Sequence, residues 1–177
     1  MTVCLLLTYI LIGNKVSFIR HLWGARGLKR QSILLLILIS VSVYANSLLA
    51  DFIAGDRQFI LQNPLVGDFK AVLQSFTADY WGILGGQSFV YYRPFIILTH
   101  FIDFNIYGLN PAGHHFSNII FHTLVTLLVY RLFCGLFPAN PWAAFVGSAL
   151  FALHPIHTHS VTYVMGRTDI LAAIFYL

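Results

Sequence analysis

The chain has 177 residues, of which 58% are hydrophobic and only 9% charged. Soluble domains carry about 25% charged residues, so an ordinary water-facing surface is excluded, as are a disordered chain and a disulfide framework. With a mean hydropathy of +0.78, the composition is that of an integral membrane protein. The formal net charge is +4, but five of the ten basic residues (Lys15, Arg20, Arg26, Lys29 and Arg30) stand in one stretch before a long apolar run. Juxtamembrane Lys and Arg stay in the cytoplasm. This is a topology signal and not a nucleic-acid footprint.

Residues 1–13 are apolar but shorter than the roughly 20 residues a crossing needs. They read as a cropped helix or an interfacial segment, and 1–31 as that segment plus the basic cytoplasmic stretch. Residues 32–50 carry no charge and cross from inside to outside. The next stretch, 51–112, holds five of the six Asp (Asp51, Asp56, Asp68, Asp79 and Asp103) and forms a long outer loop. Within it Gly67-Asp68 caps a helix on which Phe69, Val72, Leu73, Phe76 and Tyr80 recur at helical spacing. Tyr80 and Trp81 suit the headgroup level, so this helix is expected to lie in the interface. Residues 94–102, bounded by Arg93 and Asp103, predict a second surface helix.

Crossings follow at 113–136 and 142–158, joined by a tight turn over Phe137-Pro138-Ala139-Asn140-Pro141. An apolar run opens again at Ile170 and stops eight residues later at Leu177. Eight residues do not cross a membrane, so the chain reads as an N-terminal fragment, expected to be inactive alone. The fold class is all-α, a polytopic helical membrane protein with surface helices in its first outer loop, the partial membrane domain covering 32–177. Cys4 and Cys134 both lie in apolar runs and read as buried small hydrophobes.

This topology gathers the unusual polar groups on one side of the membrane: Asp51, Asp56, Arg57, Arg93, His114, His115, His154, His157, His159, Arg167 and Asp169. Ionisable groups at membrane depth mark a functional site. Their position at the outer leaflet suits a ligand that itself lives in the bilayer.

A set of motifs stands among these residues in a fixed order. Phe52-Ile53-Ala54-Gly55-Asp56 precedes Ile60-Leu61-Gln62-Asn63-Pro64, then Asp79-Tyr80-Trp81, Tyr92-Arg93-Pro94, and Gly108-Leu109-Asn110-Pro111 with His114, His115 and Asn118. His154-Pro155-Ile156-His157-Thr158 and Gly166-Arg167-Thr168-Asp169 complete it. Over residues 45–177 this order resembles the membrane part of the transmembrane and tetratricopeptide-repeat proteins, O-mannosyltransferase-like members of the GT-C glycosyltransferase fold. The resemblance implies a GT-C-like domain and transfer of a mannose-like sugar from a polyprenyl-phosphate donor to a protein hydroxyl on the non-cytoplasmic face. The partners implied are the lipid-linked donor, a protein acceptor and the bilayer. The membrane is a bacterial inner membrane or that of the endoplasmic reticulum. No cofactor, metal or nucleic acid is implied.

A lipid-phosphate donor has a good leaving group, so the chemistry needs a carboxylate base and cations for the departing phosphate. Asp56 is the candidate base, and Arg93 and Arg167 are the candidate phosphate ligands, because a planar guanidinium binds phosphate through two bonds. Asp51, Arg57, His154, His157 and Asp169 are supporting candidates. Two positions depart from the family pattern: Gly55-Asp56 stands where relatives have two adjacent acids, and His159 where they have Glu. Asp51 is near enough to substitute, and Gly55→Asp is expected to leave activity unchanged or to raise it. Two other classes remain open. One is a non-catalytic membrane scaffold of a tetratricopeptide-repeat protein. The other is a zinc enzyme using His154, His157 and His159, which Pro155 and the lack of a nearby carboxylate or thiolate disfavour.

Overall fold

Arg30 is followed by an unbroken apolar run. In the computed structural model, which describes residues 30–53, 55–63, 65–77 and 92–177, that run is helical. Helix α1 spans Arg30–Tyr44 and continues as a 3-10 turn over Ala45–Leu49. Its 20 residues rise about 30 Å, the thickness of a hydrocarbon core. Leu36, Ser40 and Tyr44 make the buried stripe at four-residue spacing, while Leu34, Leu35 and Leu38 face outward.

The loop that follows carries a π-helical turn over Arg57–Leu61 and the six-residue helix α2, Phe69–Gln74. Asp68 caps α2 as expected, its carboxylate accepting the Lys70 N–H at 2.8 Å. The helix is shorter than its apolar spacing predicts. The Ser75 hydroxyl donates to the Val72 carbonyl at 2.6 Å and that of Thr77 to the Gln74 carbonyl at 3.1 Å, so Phe76 lies in a turn past the end. Residues 1–13, the basic residues through Lys29, and Cys4, Asp79, Tyr80 and Trp81 lie outside the described residues.

Three further helices each open on a proline: α3 over Pro94–Tyr107, α4 over Pro111–Leu136 and α5 over Pro141–Leu153. Proline fits a first helical turn because its missing N–H has no intrahelical partner there. Asn110 and Asn140 cap α4 and α5, each accepting a backbone N–H at 3.1 Å. Helix α3 runs five residues past the expected 102, since Asp103 is buried within it and does not end it. Helix α5 stops at Leu153 instead of 158. Pro155 disfavours helical geometry at His154, which is extended at φ −68° and ψ 126°. Its 13 residues rise about 20 Å, short of the ~30 Å hydrocarbon core. The 3-10 turn Pro155–His157 leads into α6, Thr158–Thr162, and the turn Val164–Gly166 into α7, Arg167–Tyr176.

The described residues are all helix, turn and loop, with no strand. Two helices, α1 with its extension and α4, are long and apolar enough to cross a membrane. Helix α4 is the hub, packed by α1, α5 and α7. Its C-terminal half is apolar: Val125 and Val129 pack with Tyr44, and Tyr130 and Cys134 with Leu36 and Ala144. Small residues Ala144, Ser148 and Ala152 line the buried side of α5, letting backbones approach closely. Hydroxyls of Thr123, Thr126 and Ser148 donate to carbonyls four residues back at 2.8–3.0 Å, which satisfies them where water is absent. The N-terminal half of α4 is different. It buries His114, His115, Ser117, Asn118 and His122.

Candidate functional site

His100 and Asp103 lie three residues apart on α3, so they share a face. On α4, His114, Ser117 and Asn118 do the same, and α7 begins with Arg167. These faces meet. The Arg167 guanidinium is fully buried; its Nη2 donates to Asp103 Oδ2 at 2.5 Å and to the His114 carbonyl at 3.3 Å. Its Nε donates to Asn118 Oδ1 at 2.7 Å, and its Cζ stands 5.2 Å from the Phe121 ring centre. The second Asp103 oxygen accepts from the Ser117 hydroxyl at 2.7 Å. A buried cation and a buried anion are tolerable only when paired and hydrogen-bonded in this way.

Asn118 extends the network. Its Nδ2 lies 3.1 Å from the Val161 carbonyl, 3.2 Å from that of Tyr163 and 3.5 Å from that of Val164. This fixes the segment between α6 and α7. The Met165 N–H of that segment then donates to Asp56 Oδ1 at 3.0 Å, while the Ile53 N–H reaches Asp56 Oδ2 at 3.4 Å. Asp56 is buried, beside the small apolar cluster of Phe52, Ile60 and Val164. Burial pushes its carboxyl above the usual carboxylate range against the pull of the backbone donors from Met165 and Ile53. The same neighbourhood raises Tyr163, through burial first and the Asp56 charge second. A Cβ added to Gly55 would collide with the Tyr163 hydroxyl. The position at which the family pattern has the first of its two acids is thus space that the Tyr163 phenol fills.

The remaining sequence candidates are placed as follows. Arg93 caps the start of α3 half-buried and donates from Nη1 to Thr168 Oγ1 at 3.2 Å, which ties it to the first turn of α7. Asp51 is exposed; it accepts the Phe52 N–H at 2.8 Å and pairs loosely with Arg57, whose Nη2 is 3.8 Å away. Arg57 also donates to the Phe52 carbonyl at 3.2 Å. Asp169 accepts from the Ser160 hydroxyl at 3.0 Å. His154 is a cap, its Nδ1 accepting the Ile156 N–H at 3.2 Å, and His157 packs on Phe151 with ring centres 4.3 Å apart. His159 packs on Tyr163. The three loop histidines do not form a ligand set; the metal-type grouping among the described residues is His100, Asp103 and His114.

Relatives are found at the level of sequence. A protein O-mannosyl-transferase of Caenorhabditis elegans is 38% identical over 149 residues, 81% of this chain and 22% of that protein. Protein O-mannosyl-transferases TMTC3 and TMTC1 of Homo sapiens are 34% and 39% identical over 83% and 76% of this chain, and over 16% of each relative. The chain belongs to the transmembrane and tetratricopeptide-repeat O-mannosyltransferase-like family. It spans less than a quarter of the length of these relatives. No family model and no solved structure matches it.

Within this family member, Asp56 and Arg167 belong to one connected polar network. Arg93 joins its edge through Thr168. The sequence reading missed Asp103, His100, Ser117 and Tyr163. Asp103 reads in sequence as the charge that ends a surface helix, yet its i, i+3 pairing with His100 and the i, i+3, i+4 set on α4 carry the signal.

Proposed function

We propose that the protein is a GT-C-type, multi-pass membrane glycosyltransferase. It moves a mannose-like sugar from a polyprenyl-phosphate donor to a protein hydroxyl on the non-cytoplasmic face of a bacterial inner membrane or the endoplasmic reticulum. The observation that carries the reading is the 38% identity to a protein O-mannosyl-transferase over 81% of the chain. The exposed faces of α1 and α4 add support, since Leu34, Leu38, Ile120 and Leu124 would otherwise be bare to water.

In the reaction the acceptor oxygen bonds to the anomeric carbon as the bond from that carbon to the phosphate oxygen breaks. The leaving electron pair departs with polyprenyl phosphate, and the hydroxyl proton passes to Asp56. A carboxylate held above its ordinary pKa is a stronger base at neutral pH than a solvated one. Asp56 accepts backbone N–H groups from Met165, Ile53 and Val164, and its two oxygens offer about four lone-pair sites, so one is kept for this task. Arg93, half-buried at the start of α3, is the better placed phosphate ligand. Arg167 spends two of its three nitrogens on Asp103, His114 and Asn118, so its Nη1 is the nitrogen left for the donor. Asp51, Arg57, His154, His157 and Asp169 shape the loops around this centre.

The test is sugar transfer from labelled polyprenyl-phosphate mannose to an acceptor peptide in membranes from cells expressing the protein. Asp56→Asn keeps the shape, removes the base and should cost about 10²–10⁴-fold in turnover. Undiminished turnover moves the base to Asp51 or another group. Absence of any donor-dependent transfer favours the non-catalytic scaffold, a reading suggested by the structural use of both Asp56 oxygens.

A further inference from the structure

The His114 ring is buried, and its Nε2 lies 3.0 Å from the Gly108 carbonyl oxygen. A carbonyl only accepts, so Nε2 carries the proton and Nδ1 presents a lone pair. That lone pair faces Asp103 Oδ2 at 3.8 Å. Both groups are acceptors. His100 is buried beside them, and neither of its ring nitrogens has a hydrogen-bond partner among the described residues. One donor atom each from His100, Asp103 and His114 falls within 4.8 Å of the others. Asp103 Oδ2 already accepts from Arg167 Nη2, but His114 Nδ1 and both His100 ring nitrogens are buried without a hydrogen-bond partner among the described residues, which is costly unless something joins them.

We propose that His100, Asp103 and His114 form a binding site for a divalent ion of the zinc class, pinning α3 to α4. Two neutral imidazoles and one carboxylate suit zinc; calcium and magnesium call for more oxygen donors. An ion with bonds of about 2.1 Å bridges atoms up to ~4.2 Å apart. His114 Nδ1 and Asp103 Oδ2, at 3.8 Å, already meet that limit. Closing the third contact draws a ring inward by about 1 Å, given the 4.8 Å bound on the set.

The surroundings match those of ligating residues. Metal-bound histidines donate their other ring N–H to a carbonyl or carboxylate, and ligating carboxylates are themselves hydrogen-bonded. His114 does the first through Gly108, and Asp103 the second through Ser117 and Arg167. Arg167 opposes a cation at His114, while the Asp103 and Asp56 charges favour one. This site is separate from the His154, His157 and His159 loop, whose rings are engaged in a cap and in aromatic packing.

The experiment strips the purified chain in detergent micelles with a chelator, returns zinc, and counts bound metal by mass spectrometry after desalting. About one zinc per chain is expected, retained when His154, His157 and His159 are all changed to Gln. His100→Gln and His114→Gln should each lose it with helicity unchanged. No stoichiometric zinc in the wild-type chain overturns the proposal, and so does full binding in both single variants or loss only in the triple variant. Cobalt in the wild-type chain decides the matter if the single variants fail to fold. A low-coordinate ligand-field spectrum supports the site, and the spectrum of aqueous cobalt overturns it.

Discussion

Replacing Asp103 by Asn changes almost no volume but removes the charge that faces Arg167. Both groups are buried, at 4% and 0% exposure, and their contact is 2.5 Å. Removing one partner of such a pair leaves an uncompensated buried ion and costs about 3–5 kcal/mol. The Asn amide would also turn its Nδ2 donor either toward Arg167 Nη2, itself a donor, or toward the Ser117 hydroxyl that donates to Asp103, so one of the two contacts is lost or reversed. Arg167→Met in the same background removes the stranded cation. It leaves Asn118 Oδ1 without its 2.7 Å partner, a loss of about 1–3 kcal/mol. The double variant should therefore be more stable than Asp103→Asn alone, with a coupling of about 1–3 kcal/mol in the cycle. Unfolding by increasing denaturing detergent in mixed micelles, with a chelator present to remove any metal contribution, measures all four corners. A loss below about 1 kcal/mol for Asp103→Asn, or strict additivity, would refute the paired-ion reasoning.

Asp56→Asn tests burial of the carboxyl through pH. Because its folded pKa is raised, Asp56 stabilises the fold relative to Asn fully only below the unfolded value near 3.9, and loses that contribution as pH rises through the folded value. The melting temperature of Asp56→Asn minus wild type should thus become more positive as pH rises above about 4, with His114 and Tyr163 as the titratable neighbours in both proteins; a flat or falling difference contradicts it. Gly55→Ala should destabilise by about 1–3 kcal/mol through its collision with the Tyr163 hydroxyl, and Tyr163→Phe should recover most of that loss in a thermal-shift assay. By the same contact Gly55→Asp should lower activity, reversing the expectation drawn from sequence. Asp68→Ala removes the α2 cap at a local cost of about 1 kcal/mol, seen as faster hydrogen exchange at Lys70, Ala71 and Val72 with little change in global melting.

The helices long enough to cross a membrane were legible because hydrophobic length is a local property of sequence. The run at 32–50 and the run at 113–136 became Arg30–Leu49 and Pro111–Leu136. The cap at Asp68 and the prolines before α4 and α5 were likewise local signals. The polar interior was not legible in the same way. Asp103 meets a partner 64 residues later, and Asp56 accepts a backbone N–H from a residue 109 positions on. Reading a charge as an element boundary assumes that it faces water, and that assumption failed at Asp103. Gly55 had the opposite history. Sequence registers it as a missing acid, whereas the structure shows the site already filled by a side chain from another segment.

These long-range contacts form one path. Asp103 holds Arg167, Arg167 holds Asn118, Asn118 holds the carbonyls of 161, 163 and 164, and Met165 in that segment holds Asp56. In a low-dielectric interior each link is stronger than in water and each orphaned group is more costly. The segment between α6 and α7 is therefore set by residues well away from Asp56 in sequence, and displacing it removes the Met165 and Val164 donors, two of the three backbone donors that oppose the desolvation of that carboxyl. A variant at Asn118 or Asp103 should consequently alter turnover without touching any substrate, and it should do so through the pH dependence of Asp56. A merely destabilised protein would lose amplitude at every pH alike. The shape of the pH–rate profile, and not the size of the loss, separates a positioning network from general loss of fold.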